Sequence, residues 1–408
     1  MSPVTIEGIV APGFEPVADA FRAAFEVTDT GAALAVRHRG AVVVDLWGGV
    51  ADPVRGTTWT RDTHTTVFSC TKGLMSILAA RAVAAGLLDY ERPVAAYWPE
   101  FAQAGKAATR VRDLLAHRAG LSAPREAVDL ATALEWDAMT RLLAEQEPLW
   151  EPGSGHAYHA LTHGWLVGEL LCRVTGLPPG EMLARELAEP LGAQVLLGVP
   201  QDAAIEISDS IVGDGLARLT REQAEARRPG AIDWPNRAMT LGDAFPPELV
   251  APGEGFNAPA VRAALIPGAG GIATARGLAA VWSATVVETD GVRLLDDETV
   301  TRGIEVVSQG EPVFAVPPPW SRWGMGFQLD SEARRYLGPT SFGHDGAGGQ
   351  VAFADRAHEV GFAFVTNRME AIDDHRATRV VDALRTVLTA SGSAGGAESL
   401  AMRGSRSG

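Results

Sequence analysis

Strand-like sequence sits at the two ends of this chain and is scarce between them, and that placement limits the folds open to it. Residues 32–38 (Ala-Ala-Leu-Ala-Val-Arg-His) and 42–47 (Val-Val-Val-Asp-Leu-Trp) read as two strands joined by a hairpin turn at Arg39-Gly40, with Gly48-Gly49 closing the second. Residues 323–329, 350–355 and 359–366 read the same way near the other end. Helical spacing covers 14–26, 275–288 and 375–389, and it dominates the loop-rich stretch 87–265. Strands this far apart form a buried sheet only by pairing with one another. The expected fold is therefore α+β: an antiparallel sheet formed from both chain ends, flanked by helices, with a mainly helical lobe inserted. The expected division is 1–86 with 266–392 as one lobe and 87–265 as the other. The tail 393–408 is expected to be disordered, with the composition of an expression remnant.

Within the inserted region, 111–121 reads as a short helix ending at Gly120, and 160–176 as a strongly apolar helix closed by Gly176. The segment 227–260 carries Pro229, Pro235, Pro246, Pro247, Pro252 and Pro259, and is expected to be a long loop or flap beside a site, or a plain connector.

The stretch running from Val67 to Ala85 is a helix with chemistry at its start. Ser69 and Lys72 are three apart, so a hydroxyl and an amine can meet on one helix face where backbone N–H groups are still free. Composition sharpens this. Of 35 basic Lys and Arg residues, only Lys72 and Lys106 are lysines. A chain that uses arginine wherever a fixed charge suffices keeps lysine here, and lysine can lose its proton when desolvated. The plainer alternative is a buried serine beside a snorkelling lysine on a core helix.

Two other stretches carry polar groups that could join that pair. Trp150-Glu151-Pro152-Gly153-Ser154-Gly155-His156-Ala157-Tyr158-His159-Ala160 places one of four tyrosines in a Gly/Pro loop ahead of an apolar helix. A tyrosine beside a lysine can share a proton with serine; alternatively its hydroxyl closes a loop hydrogen bond. Phe342-Gly343-His344-Asp345-Gly346-Ala347-Gly348-Gly349 lies between strands, where glycine permits the close backbone approach an oxyanion-binding N–H needs, or simply makes a hairpin turn.

Rival chemistries are visible too. His156, His159 and His163 could face a metal from one side of a helix, although no carboxylate or cysteine completes the set. Cys70 could replace Ser69 as nucleophile, but one residue along a helix turns it about 100° away from Lys72. No G-x-S-x-G, no phosphate-binding G-x-x-x-x-G-K-[ST] and no dinucleotide G-x-G-x-x-G is present in a suitable setting.

The formal charge of −15 disfavours nucleic acid and anionic membranes as partners. The absence of a basic-apolar leader and the presence of only two cysteines, Cys70 and Cys172, fit a reduced cytoplasmic setting. No stretch approaches the ~20 apolar residues of a membrane span.

Taken in order, Ser69-Cys70-Thr71-Lys72, a tyrosine motif some 90 residues on and a Gly-rich strand near the C-terminus resemble the serine β-lactamase and penicillin-binding-protein fold. The closest resemblance is to the family VIII carboxylesterases, relatives of class C β-lactamases. Weaker matches run alongside: Trp47-Gly48-Gly49, residues 115–121, Trp150-Glu151-Pro152-Gly153 and 267–271. The resemblance implies Ser69 as acylated nucleophile, Lys72 as its proton-transfer partner, Tyr158 as a phenolate base, and the N–H groups of Ser69 and Ala347 as an oxyanion hole. It further implies that His344, Asp345, Gly346, His159 and Trp150 contact substrate, with no cofactor and no metal.

Two departures stand out. Ala160 occupies the asparagine position of the Y-x-N pattern, and His344-Asp345-Gly346 replaces K-T-G. Both remove groups that would hold a β-lactam. The expected activity is therefore hydrolysis of short-chain carboxylic esters, small-molecule substrates. Acyl transfer by the same serine, β-lactam or D-alanyl peptide cleavage, and a non-catalytic binding module are the alternatives. Oligomeric state is not read from the sequence.

Overall fold

The computed structural model describes residues 4–25, 30–227, 230–371 and 374–404, with 391–404 as backbone only. Nine of the described strands form the main sheet: β1 (Ile6–Val10), β2 (Gly31–His38), β3 (Ala41–Asp52), β4 (Thr57–Thr58), β5 (Arg322–Trp323), β6 (Gln328–Leu329), β7 (Ser341–Asp345), β8 (Val351–Asp355) and β9 (Val360–Thr366). Their order is β1-β3-β2-β9-β8-β7-β6-β5, with β4 on β3. All neighbours are antiparallel. The two ends of the chain meet at the β2/β9 pair, in register from Ala32↔Thr366 to His38↔Val360.

The helices that matter here are α1 (Glu15–Arg22), α2 (Cys70–Ala84), α3 (Thr162–Thr175), α4 (Trp234–Thr240), α5 (Ala275–Val286) and α6 (Arg376–Gly404). Side-chain alternation along the central strands sorts them onto the two faces of the sheet. Leu34, Val36, Phe353, Phe362 and Phe364 pack with Val17 and Phe21 of α1 and Val380 and Leu384 of α6. Ala33, Ala35, Ala352, Ala354 and Ala363 face the other way, into the core that holds α2 and α5. Alanine on that face lets α5 lie close to the strands, with Trp282 filling the space toward Phe327 and Phe342. This larger core continues into α3 and the helical region, so the inserted segment shares its interior with the sheet half.

A smaller sheet ties the chain before α2 to the insertion. His64–Thr66 pairs with Gly271–Ala273 and Ile207–Ser208, and Gly271–Ala273 also pairs with Val195–Leu197.

Several boundaries differ from the sequence reading. The strand expected to close at Gly48-Gly49 runs on to Asp52. Residues 323–329 form two short strands around a turn at 324–327. The helix expected over 111–121 stops at Leu115, because His117 takes a left-handed backbone (φ 62°) and buries its ring. The stretch 227–260 contains α4 and a small hairpin of Val250–Ala251 with Glu254–Gly255. The glycine-rich segment is strand through Asp345 before it turns. The last helix continues past 389 to Gly404, and 405–408 lie outside the described residues. Among the described residues no helix is long and apolar enough to cross a membrane.

Candidate active site

Helix α2 is buried almost all round from Cys70 to Ala80, so its start is fixed from every side. Val67 N–H donates to Gly271 O (2.9 Å), and Gly271 N–H donates to Thr71 Oγ1 (2.9 Å). Thr71 Oγ1–H in turn donates to Phe68 O (2.5 Å). Between these anchors Phe68 holds φ 44°, costly for a bulky residue, with its buried ring edge-on to Phe256 at 5.6 Å. The kink presents Ser69 to a cavity at the first turn of the helix.

Lys72 Nζ lies 2.9 Å from Ser69 Oγ, and Tyr158 Oη lies 2.8 Å from the same oxygen. The i, i+3 spacing delivers the first contact and the loop ahead of α3 delivers the second. Lys72 is fully buried and also donates to Gly268 O (2.6 Å). That carbonyl is in reach because Gly164 of α3 has no side chain: a Cβ there would sit 1.9 Å from Gly268 N.

Burial holds the Lys72 amine well below its usual pKa, with no carboxylate beside it to oppose the shift. Burial also pushes the Tyr158 phenol well up, opposed only partly by its hydrogen bond to Ser69. Burial thus disfavours the charged form of each. This runs against the phenolate that the resemblance implied, since two full charges in so dry a setting are costly unless tightly paired.

Tyr158 is clamped. Trp323 stacks on its ring (5.4 Å, 12°), and His117 meets it edge-on at 5.0 Å. His117 Nδ1 accepts the His159 N–H (3.2 Å), which fixes the loop carrying the tyrosine. His117 and His163 are held well below the usual histidine pKa, chiefly by burial; burial also lowers His159 to about 4 and His344 to about 3. The shell around Lys72 and Tyr158 thus adds no positive charge at neutral pH.

The opposite wall is the end of β7. Gly346 passes so close to Val67 that a Cβ would lie 2.3 Å from its carbonyl oxygen, and this brings Ala347 to the cavity beside Ser69. Among the described residues the N–H groups of Ser69 and Ala347 have no acceptor. His344 and Asp345 line the same wall. His344 Nδ1 pairs with Asp345 O (2.7 Å), and the Asp345 carboxylate is taken up by Arg334 and Tyr336.

Two expected substrate contacts lie one layer back. His159 is fully buried, with Nε2 accepting from Leu121 N–H (3.1 Å) and Nδ1 on Ala157 O (2.7 Å). Trp150 donates its indole N–H to Gly155 O (3.2 Å) and packs on His159 and Phe314. Both shape the tyrosine loop and neither lines the cavity.

The rival readings fare worse. His163 is tied to Leu115 O (3.1 Å), and among the described residues no three His, Cys, Asp or Glu side chains converge as metal ligands. Cys70 is buried, its thiol donates to His344 O (3.2 Å), and burial raises its pKa, which makes it a poor nucleophile.

The cavity encloses about 430 Å³. Neither Lys nor Arg lines it among the described residues, and Ala160 leaves its share of the wall apolar. Sequence reasoning missed Trp323, Trp234 and Phe314 as parts of this site. Three of ten tryptophans line it, but tryptophan reads first as core, so composition gave no pointer.

Comparison with known proteins agrees with this architecture. The Beta-lactamase family model matches residues 21–386. "Esterase/beta-lactamase LipL" of Mycobacterium tuberculosis is 36% identical over 368 residues, covering 89% of this chain and 83% of the relative. A crystal structure of a family VIII carboxylesterase superposes with a TM-score of 0.82 at 32% identity, covering 94% of this chain and all of the other. A penicillin-binding protein homolog from Caulobacter crescentus gives 0.81 at 34%, with the same coverage. With a matching family model over most of its length, a Ser/Lys/Tyr cluster at the head of a buried helix and an antiparallel sheet built from both ends, the chain belongs to the beta-lactamase family of serine hydrolases.

Proposed function

We propose that the protein is a carboxylesterase that works through an acyl-enzyme on Ser69. The observation that carries this reading is one oxygen with two hydrogen-bond partners. Tyr158 O–H and a Lys72 N–H both donate to Ser69 Oγ, and a second Lys72 N–H is spent on Gly268 O, so an uncharged Lys72 needs only to turn its lone pair to the Ser69 O–H to act as its base.

As Ser69 Oγ bonds to the ester carbonyl carbon, its proton passes to Lys72 Nζ. The carbonyl oxygen becomes an oxyanion held by the N–H groups of Ser69 and Ala347. Collapse breaks the bond to the alcohol oxygen, which takes a proton from Tyr158; the proton held on Lys72, whose Nζ lies 5.0 Å from the centre of the Tyr158 ring, then returns to the tyrosine. Water repeats the sequence on the acyl-enzyme, giving up one proton and releasing the acid and free Ser69.

The cavity's charge supports an ester over a β-lactam. With neither Lys nor Arg in its lining, burial disfavouring a charge on Lys72, His344 lowered to about 3 and Asp345 spent on Arg334, the cavity offers a substrate carboxylate no free cation among the described residues. A fluorophosphonate probe is expected to add mass to the Ser69 peptide. The same preparation should hydrolyse p-nitrophenyl esters, with nitrocefin turned over far more slowly. Labelling at Cys70, or nitrocefin turnover rivalling the esters, overturns the reading. A neutral alcohol that competes with water for the acyl group would instead mark an acyltransferase.

A further inference from the structure

We propose that the cavity mouth is a binding surface for an extended alkyl chain, so that the ester acted on is neutral and long on its acyl or alcohol side. This rests on the esterase reading above and departs from the short-chain expectation.

Two segments frame the mouth. One is α4, which contributes Trp234 and Met239; the other is the loop 309–321, which contributes Phe314, Val316 and Trp320. They are joined by rings, Trp234 stacked on Phe314 at 6.0 Å and 27°. The loop is pinned by Val313 N–H donating to His156 O (2.8 Å), and it folds back through Trp320 Nε1–H on Val316 O (2.9 Å).

These segments also leave apolar groups in water. Val313 is 45% exposed and Val316 44%, and Ile232, two residues ahead of α4, is 47% exposed; these are three of the seven exposed large hydrophobics among the described residues. Scattered exposed aliphatics are ordinary, but Val316 both lines the cavity and reaches water, which makes it, with Val313 on the same loop and Ile232 just ahead of α4, the start of the proposed track. A short acyl group fills the inner part and leaves the track wet. A chain of roughly eight carbons or more would cover both, each buried methylene adding about 0.8 kcal/mol. The cavity offers such a chain no unpaired charge, which excludes a polar tail as the natural occupant.

The test is a chain-length series at concentrations below aggregation: p-nitrophenyl esters from acetate to dodecanoate, and alkyl acetates followed by acid release. In one of the two series, kcat/KM is expected to rise about fourfold per methylene over the first several carbons and to keep rising past hexyl. In Val313→Ser/Val316→Ser, exposed changes that leave the fold intact, the rise should stop earlier. In Phe314→Ala the octyl-to-ethyl ratio should fall at least tenfold.

Profiles flat or falling beyond four carbons in both series, with Ser69 still labelled by the fluorophosphonate, overturn this proposal and leave the esterase reading standing. Loss of labelling and of all ester turnover removes the esterase reading itself. A dimer in sedimentation that Val313→Asp dissociates, with flat profiles, assigns the track to a second copy and also overturns the proposal.

Discussion

Everything chemical at this site converges on one oxygen, and the residue scale is where the proposed roles separate most cleanly. Lys72→Arg puts a fixed cation in place of a base that can lose its proton, so ester turnover is expected to fall nearly as far as in Lys72→Ala. Tyr158→Phe keeps the ring clamped by Trp323 and His117 but loses the O–H, and should lose roughly 10²-fold in kcat with little change in Tm. Steady-state kinetics beside thermal melts distinguishes the two outcomes. A Lys72→Arg enzyme retaining most of its rate would make Lys72 a mere charge. The Ser69/Lys72 pair was legible in the sequence because i, i+3 geometry is local. His159 and Trp150 were misplaced for the opposite reason: in a Gly/Pro loop nothing periodic fixes which way a side chain points.

At the scale of elements, the contact between α3 and the loop 266–270 is what seats Lys72. Gly164 lies against Gly268, and the Gly268 carbonyl is the lysine's second partner. Gly164→Ala should therefore push that carbonyl away, lowering kcat by roughly tenfold or more and lowering Tm by several degrees. Gly176→Ala at the far end of the same helix, with nothing within 4 Å of the added methyl, should leave kcat unmoved and change only stability. Activity loss equal in the two would refute the positioning role. The hairpin at 32–47 and the apolar helix before Gly176 could be read directly, since each is a single period bounded by turn residues. The segment 323–329 could not: Trp-Gly-Met-Gly-Phe alternates like one strand, and only the register of β6 on β7 shows that the chain turns between two. Helix α4 was hidden by the prolines around it, one of which, Pro235, sits in its first turn, where proline is tolerated.

For the whole molecule, the buried imidazoles set an acid limit. Histidines held near pH 4 and 3 against 6.5 when unfolded bind fewer protons in the native state than in the denatured one as pH falls below 6.5. Stability is thus full above about pH 6.5 and declines as pH drops through those lowered values. Urea midpoints measured from pH 7.5 to 4.5 should fall steadily, and His159→Gln should flatten the slope even if it lowers the plateau. A midpoint constant down to pH 4.5 would contradict the neutral shell. The sheet carries a different implication, one for synthesis. Its centre is the seam between β2 and β9, whose strands are separated by more than 320 residues of chain. At ~5–20 residues per second on the ribosome, β2 waits on the order of half a minute with one edge open. Until β9 emerges, an alanine-rich strand is bare to any other nascent chain. The enzyme's yield in a cell therefore depends on who shields that edge in the interval.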